Sequence, residues 1–203
     1  MAAPAPKIAG LVLAAGKSTR MGANKLLADL AGKPLVRHCV EALKASNLRE
    51  LIVVTGKDSD GVKAALEPFA VTFIHNPKFA EGLSTSLNRG LGTVPADAEG
   101  VLICLGDMPL VDVETVNQLV ATFDPAEHRS ICVPTFEGKR GNPVLWGRQH
   151  FKALSSLAGD QGGKRLMDSL GDEIFEVAVS SKGILLDVDT PDALQEIKSV
   201  LKL

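Results

Sequence analysis

Short apolar runs recur along the chain and alternate with segments of helical spacing. The runs, rich in Val, Ile and Leu, predict buried strands at residues 8–13, 51–55, 71–75, 101–105, 130–134 and 174–179. Apolar residues three and four apart predict amphipathic helices at residues 34–45, 113–123 and 191–201. Apolar strands separated by such helices predict a mostly parallel, Rossmann-like sheet with helices on both faces. The fold class is therefore α/β, a three-layer α/β/α sandwich.

Length and composition narrow the class of protein. The 203 residues suit one domain, with residues 1–7 as a flexible tail. The net charge of −2, with 22 basic and 24 acidic residues, argues against a nucleic-acid binder that works by bulk charge. The apolar runs are shorter than the roughly 20 residues of a membrane span, so no membrane partner is expected. Cys39, Cys104 and Cys132 lie in apolar contexts, which favours buried thiols and a cytoplasmic location.

The loop after the first predicted strand is rich in glycine and cations. Residues 14–25 read AAGKSTRMGANK, with two glycines, three cations and no acid. Glycines let backbone N–H groups approach a ligand and the cations add positive charge, so the loop predicts a polyphosphate site. Its spacing fits neither a Walker A motif nor a dinucleotide GxGxxG motif. A basic surface loop with turn glycines is the alternative that the residues leave open.

Carboxylates follow two later apolar segments. Asp107 comes directly after the predicted strand at 101–105, and Asp189 precedes Thr190, which reads as the cap of the last helix. Mg²⁺ prefers one or two carboxylates together with substrate phosphates, so Asp107 and Asp189 predict a Mg²⁺ site. Asp187 lies two residues before Asp189 and would point to the same side of an extended segment. The alternatives are turn chemistry for Asp107 and solvated loop positions for the other two.

Two further segments have the composition of recognition loops. Residues 81–87, EGLSTSL, offer hydroxyls and backbone amides that could read a base edge or simply cap a helix. Residues 139–143, KRGNP, place two cations and an amide where they could hold a second anionic substrate or form a turn.

Five motifs in order carry a family resemblance. The segments LAAGKSTRMGANK, GDMP, GKRGNPVLW, GDQGGKRL and DVDTPDAL closely resemble those of the nucleotidyltransferases that mature the molybdenum cofactor, over about residues 8–194. The guanylyl branch usually has Ala-Gly-Gly at 14–16 and Asn-x-Asn-Thr-Pro at 187–191. This chain has Ala-Ala-Gly and Asp-Val-Asp-Thr-Pro there, which with GLSTSL favours the cytidylyl branch. The resemblance implies a sheet of the nucleotidyltransferase type.

The resemblance also implies roles for individual residues. The nucleotide would be bound by Leu13, Ala14, Ala15, Gly16, Lys17, Ser18, Arg20, Lys25, Gly82, Ser84, Thr85 and Asp107. Among these, Lys25, Arg20 and Asp107 would be catalytic, and Asp107 with Asp189 would bind Mg²⁺. The acceptor would be bound by Arg140, Gly141, Asn142, Asp160 and Lys164. The chain departs from the family at Gly163-Lys164, where Ala-Arg is usual, so either Lys164 or Arg165 could reach the acceptor.

The implied reaction is transfer of CMP from CTP to the terminal phosphate of molybdopterin, with release of pyrophosphate. A phosphate monoester is largely ionised at neutral pH, so the enzyme has to supply alignment and charge neutralisation rather than a strong base. The product would pass through transient contact to recipient molybdoenzymes or their chaperones. Two alternatives stay open: a related nucleotidyltransferase with another nucleotide or phosphorylated acceptor, and a non-catalytic cofactor-binding maturation factor.

Overall fold

The apolar runs and amphipathic segments become the strands and helices of a computed structural model that describes residues 5–16, 24–160 and 162–201. The strands in these ranges are β1 Ile8–Ala14, β2 Asp29–Leu30, β3 Lys33–Pro34, β4 Glu50–Thr55, β5 Thr72–His75, β6 Gly100–Leu105, β7 Ile131–Phe136, β8 Lys139–Arg140, β9 Val144–Gly147 and β10 Ile174–Ala178. The α-helices are α1 Leu35–Lys44, α2 Ser59–Ala65, α3 Leu83–Leu91, α4 Val113–Thr122, α5 Phe151–Ser155, α6 Gly163–Met167 and α7 Pro191–Val200.

The main sheet is mostly parallel, as predicted. Its strands lie in the order β10-β7-β9-β6-β1-β4-β5, with β8 paired to β7. Strand β1 pairs in parallel with both β4 and β6, and β10 pairs in parallel with β7. Strand β9 was not predicted, and it runs antiparallel to both β6 and β7. All six predicted strands are present, with ends displaced by one or two residues.

Two apolar clusters, one on each face of the sheet, confirm the three-layer arrangement. Along β1 the side chains alternate, so that Ile8 and Val12 join the cluster that includes α1, α4 and α7. Leu11 and Leu13 join the opposite cluster, with residues of α3, α5 and α6. The three cysteines are buried and free, as predicted. Among the described residues, no helix combines the length and the apolar character needed to cross a membrane.

The strand directions bring several loops to one edge of the sheet. Strands β1, β4 and β6 all end at this edge because they are parallel. Strand β9 begins there because it is antiparallel, with Val144 opposite Ile103 near the end of β6. We call this the carboxyl edge. It collects the segments after β1 and β6 and the segment before β9, which carry several of the predicted site residues, among them Lys25, Asp107 and Arg140.

Candidate functional site

Lys25 is positioned by a short 3₁₀ turn, Lys25–Leu27, at the carboxyl edge. The side chain of Asn24 caps this turn, with its Oδ1 accepting a hydrogen bond of 3.1 Å from the backbone N–H of Leu26. Leu26 is buried in the core and anchors the turn. The backbone on either side of Lys25 is therefore held by a cap and by packing, so the lysine side chain starts from a defined position.

The ammonium group of Lys25 lies between two carboxylates. Its Nζ donates to Asp107 Oδ2 and to Asp189 Oδ1, each at 2.5 Å. The side chains of Lys25 and Asp107 are 12% and 14% exposed, whereas that of Asp189 is 47% exposed. The partners are 82 and 164 positions from Lys25 in the chain. The fold thus assembles one charged centre from three distant segments.

The backbone joins the two segments that supply the carboxylates. The N–H of Val188 donates to the carbonyl oxygen of Asp107 at 2.9 Å. The side chain of Val188 is fully buried in the core, so Asp187 and Asp189 on either side of it project away from the core. Carboxylate oxygens of Asp107, Asp187 and Asp189 lie within 4.8 Å of one another. Alternation along one extended segment therefore places two carboxylates beside a third.

The donor set fits a hard divalent cation. Asp107 Oδ1 is buried and has no hydrogen-bond partner among the described residues. A buried carboxylate oxygen without a donor is costly, and a cation would satisfy it. Three clustered carboxylates are the oxygen ligands that Mg²⁺ and Mn²⁺ take in proteins. Asp107, Asp189 and Asp187 are therefore the residues that could hold such an ion.

The pKa values reflect competition between burial and pairing. Burial disfavours the charged form of Lys25, but attraction to Asp107 and hydrogen bonds to both carboxylates outweigh it and raise the pKa of Lys25 above 10.5. Burial raises the pKa of Asp107 above its ordinary 3.8 despite the lysine, and repulsion from Asp187 adds to this rise. Burial therefore outweighs the pairing for Asp107, with Asp187 adding to the rise, whereas the pairing outweighs burial for Lys25.

A first cavity of about 460 Å³ opens beside this centre. Its lining includes six of the predicted nucleotide-binding residues and both predicted metal ligands: Leu13, Ala15, Gly16, Lys25, Gly82, Asp107 and Asp189. Predicted residue Ala14 does not line it, because the alternation of β1 turns that side chain into the core. Lys17, Ser18 and Arg20 lie outside the described residues.

The start of α3 presents a different pair of side chains from the one predicted. Ser84 and Thr85 are not among the lining residues, whereas Leu83 and Ser86 are. The hydroxyl of Thr85 accepts from Asn76 Nδ2 at 2.9 Å and lies 2.8 Å from the carbonyl oxygen of Gly82, to which it donates. Leu83 and Ser86 are three positions apart and share one face of the helix. Helical spacing is the signal that could have found them.

Gly82 lets the segment around Gly159 pack closely against the start of α3. Gly82 has φ +119°, and a Cβ there would lie 2.4 Å from the carbonyl carbon of Gly159. The N–H of Ser84 donates to Gly159 O at 3.0 Å, and that of Leu83 donates to Asp160 Oδ1 at 3.3 Å. Asp160, predicted to bind the acceptor, therefore lines the first cavity.

A second cavity of about 560 Å³ adjoins the first. The two share Leu13, Leu83 and Leu105 in their walls. The walls of the second cavity are mainly apolar: Leu87, Ile103, Val144, Trp146, Leu154 and Met167. The predicted acceptor residues Arg140, Gly141 and Asn142 also line it.

The polar part of the second cavity is organised by neighbouring contacts. Arg140 Nε donates to Glu176 Oε1 at 2.7 Å, so Glu176 of β10 holds the guanidinium. Gly163, at the start of α6, lies so close to the Trp146 ring that a Cβ would be 2.6 Å from its Cζ2. Sequence reasoning missed Trp146 and Glu176 as parts of the site. The side chain of Lys164 is outside the described part of the structure.

A charged centre that lines the first of two adjoining cavities, at the carboxyl edge of a mostly parallel sheet, is suited to joining a nucleotide to a second substrate. The comparisons with known proteins agree with this class. The chain belongs to the family described as MobA-like NTP transferase domain, whose model matches residues 10–174. It is therefore a member of a nucleotidyltransferase family.

Similar proteins cover most of the chain. The purine catabolism protein PucB of Bacillus subtilis is 30% identical, over 97% of this chain and 98% of PucB. A probable molybdenum cofactor guanylyltransferase of Thermococcus sibiricus is 31% identical, over 66% of this chain and 65% of that protein. The chain also matches bifunctional GlmU proteins, but it covers only 29% of the one from Mycolicibacterium vanbaalenii.

Solved structures extend the comparison to the fold. Rv0371c of Mycobacterium tuberculosis superposes with a TM-score of 0.84 at 28% identity, covering 97% of this chain and all of that one. A structure of Rv0371c in complex with manganese superposes with a TM-score of 0.78 at 27% identity, covering 95% and 98% of the two chains.

Proposed function

We propose that this protein transfers CMP from CTP to the terminal phosphate of molybdopterin, releasing pyrophosphate and forming the cytosine dinucleotide form of the cofactor. The observation that carries the proposal is the Lys25–Asp107–Asp189 centre, which lines the first cavity, together with a second cavity that adjoins the first and could take the other substrate. We propose further that the whole chain is a single nucleotidyltransferase domain.

The first cavity is assigned to CTP. Leu13, Ala15 and Leu83 would contact the nucleoside, and the ammonium of Lys25 would neutralise charge on the α-phosphate. Lys17, Ser18 and Arg20 keep their proposed role at the β- and γ-phosphates, and are outside the described residues. Asp107 and Asp189 would hold Mg²⁺, with Asp187 beside them. When bound there, Mg²⁺ would act as a Lewis acid toward phosphate oxygens.

The proposed reaction requires the protein to align the acceptor phosphate with the α-phosphate of CTP. An oxygen of the acceptor phosphate forms a bond to the α-phosphorus of CTP while the bond to the pyrophosphate oxygen breaks, and pyrophosphate leaves with that electron pair. The attacking phosphate is already ionised at neutral pH, so no residue has to remove a proton. Two anions must be held in line, and Lys25 on one side and Arg140 on the other provide positive charge for this.

The second cavity is assigned to molybdopterin. Arg140 and Asn142 offer donors for its phosphate, and the Trp146 ring offers a flat wall for its ring system. The molybdenum-cofactor relative from Thermococcus sibiricus supports this class of acceptor. The preference for cytosine is supported by the sequence differences from the guanylyl branch at residues 14–16 and 187–191.

A second candidate function keeps the chemistry and changes the substrates. PucB matches over nearly its whole length, which favours a related nucleotidyltransferase whose acceptor or nucleotide differs. Such an enzyme would use the same Lys25 and Asp107, but the second cavity would receive another phosphorylated molecule.

Pyrophosphate release from CTP, GTP, UTP and ATP, each with purified molybdopterin and Mg²⁺, tests the proposal. We expect release with CTP that depends on molybdopterin and stops when the metal is chelated. Release with another nucleotide, or only with another phosphorylated acceptor, would favour the second candidate. Binding of CTP and molybdopterin with no release from any pair would instead indicate a non-catalytic maturation factor.

A further inference from the structure

The ammonium of Lys25 contacts the two carboxylates proposed as metal ligands. Its Nζ lies 2.5 Å from Asp107 Oδ2 and from Asp189 Oδ1. We infer that Lys25 is an internal counter-ion that competes with the divalent cation for Asp107 and Asp189, so that the cation binds tightly only when nucleotide phosphates draw Lys25 away. This inference rests on the proposed function and concerns the order in which that site fills.

The competition follows from contact geometry. Mg²⁺ binds carboxylate oxygens at about 2.0–2.1 Å, so an ion held by Asp107 and Asp189 would lie within a few ångströms of Lys25 Nζ. The Lys25 and Asp107 side chains are largely shielded from water, so repulsion between the two cations is weakly screened. A divalent cation that binds Asp107 and Asp189 must therefore either displace Lys25 from these carboxylates or be repelled by its ammonium group at close range.

The first cavity provides the alternative partner for Lys25. Lys25 lines this cavity together with Gly16, which precedes the glycine-rich and cationic segment assigned to phosphate. A lysine ammonium is a point charge on a flexible stem, and it binds a phosphate oxygen as readily as a carboxylate oxygen. Pivoting from Asp189 toward a phosphate would free carboxylate oxygens for the cation. Nucleotide and cation would then each strengthen the binding of the other, because such coupling is reciprocal.

Titration with Mn²⁺ alone tests the inference without relying on turnover. Free Mn²⁺ is counted by its electron paramagnetic resonance signal at pH 7.5, without nucleotide, for the wild type, Lys25→Met and Lys25→Arg. We expect Lys25→Met to bind Mn²⁺ at least ten-fold more tightly than the wild type, and Lys25→Arg, which keeps the charge, to bind like the wild type. Lys33→Met is the matched control, because Lys33 is 45% exposed and pairs with Glu41. This control should not change Mn²⁺ binding.

The Asp107→Asn variant separates this inference from the proposed function. If Asp107→Asn binds Mn²⁺ as well as the wild type does, the proposed metal site is wrong. If Asp107→Asn weakens binding while Lys25→Met binds no more tightly than the wild type, the metal site stands and the competition is refuted. The competition would also be refuted if Lys25→Met is folded but binds no measurable Mn²⁺. Circular dichroism of each variant establishes that it is folded before titration.

Discussion

Replacing Asp107 by Asn removes the charge of the most enclosed carboxylate in the site and keeps its shape. The wild-type side chain accepts a charge-assisted hydrogen bond from Lys25, which is typically worth about 1.5–3 kcal/mol. Burial opposes that gain, and so does Oδ1, which has no hydrogen-bond partner among the described residues, because both disfavour the charged form of Asp107. The raised pKa of Asp107 means that burial outweighs the pairing for its charged form, so we expect Asp107→Asn to change the free energy of unfolding by no more than about 1 kcal/mol.

The effect of Asp107→Asn on turnover should be much larger. One full negative charge is lost beside Lys25 and Asp189, where the α-phosphate and the proposed metal would meet. Loss of one well-placed electrostatic contact in an enclosed active site typically lowers kcat by about 10²–10³-fold, or about 3–4 kcal/mol of transition-state stabilisation. The variant should thus remain folded while losing nearly all pyrophosphate release from CTP and molybdopterin.

A stability-matched control makes this prediction testable. Asp112→Ala removes the N-cap of α4, where Asp112 Oδ1 accepts from Thr115 N at 2.7 Å, and should cost about 1 kcal/mol, at least as much as Asp107→Asn. Asp112 is not among the residues that line either cavity. Urea unfolding and pyrophosphate release are measured for both variants. If Asp107→Asn kept more than a tenth of the wild-type rate, the placement of Asp107 in the reaction centre would be refuted.

Three further predictions concern Lys25, Glu176 and His150. Lys25→Ala should lower kcat more than it raises KM for CTP, because its charge is needed most in the transition state; steady-state kinetics showing only a raised KM would contradict this. Glu176→Gln should raise KM for molybdopterin by up to about five-fold with KM for CTP unchanged, because the exposed pair with Arg140 is worth about 1 kcal/mol or less. Burial lowers the pKa of His150 below 6.5 in the folded protein. The unfolded chain therefore binds a proton at His150 more readily than the folded protein does, and the free energy of unfolding declines as pH falls below about 6.5. His150→Asn should lose less stability than the wild type between pH 7.5 and 5 in urea unfolding, and an equal loss would assign the decline to other groups.

Most of the sheet could be predicted because its strands are buried on both faces. Strands β1, β4 and β6 are continuous apolar runs, a pattern that local sequence carries. Strand β9 was missed because Val-Leu-Trp-Gly is only four residues long, and nothing within it distinguishes an antiparallel strand from a loop. Its direction is decided by pairing with β6 and β7, which lie elsewhere in the sequence, so local sequence does not specify it.

The sequence pointed to several residues that the structure brings together, but not to most of their contacts. The topology rule for open sheets placed Asp107 at the carboxyl edge because Asp107 follows β6. Asp189 follows the 3₁₀ turn Lys182–Leu185 and not a strand, and its segment is joined to Asp107 by the Val188 N–H, which donates to the carbonyl oxygen of Asp107. The ion pairs of Lys25 with both carboxylates could not be anticipated, because they depend on how far a lysine side chain reaches across the carboxyl edge. Ser84 and Thr85 were favoured for their hydroxyls, yet the orientation of α3 presents Leu83 and Ser86 to the first cavity.

Because β9 is antiparallel, the segment that precedes it lies at the carboxyl edge, where a change of sequence could alter which acceptor the second cavity takes. The segment that precedes β9 lines the second cavity, and the short strand β8 within it pairs with β7. The hydrogen bonds of β1 with β4 and β6, which support the nucleotide side, do not involve that segment. Grafting a different stretch between Phe136 and Val144 would therefore alter the second cavity and leave the pairing of β1 intact, as long as Gly141 and Asn142 are kept. These two residues hold the segment against Ile184: the N–H of Asn142 donates to Ile184 O at 3.0 Å, and Gly141 packs directly on that carbonyl group.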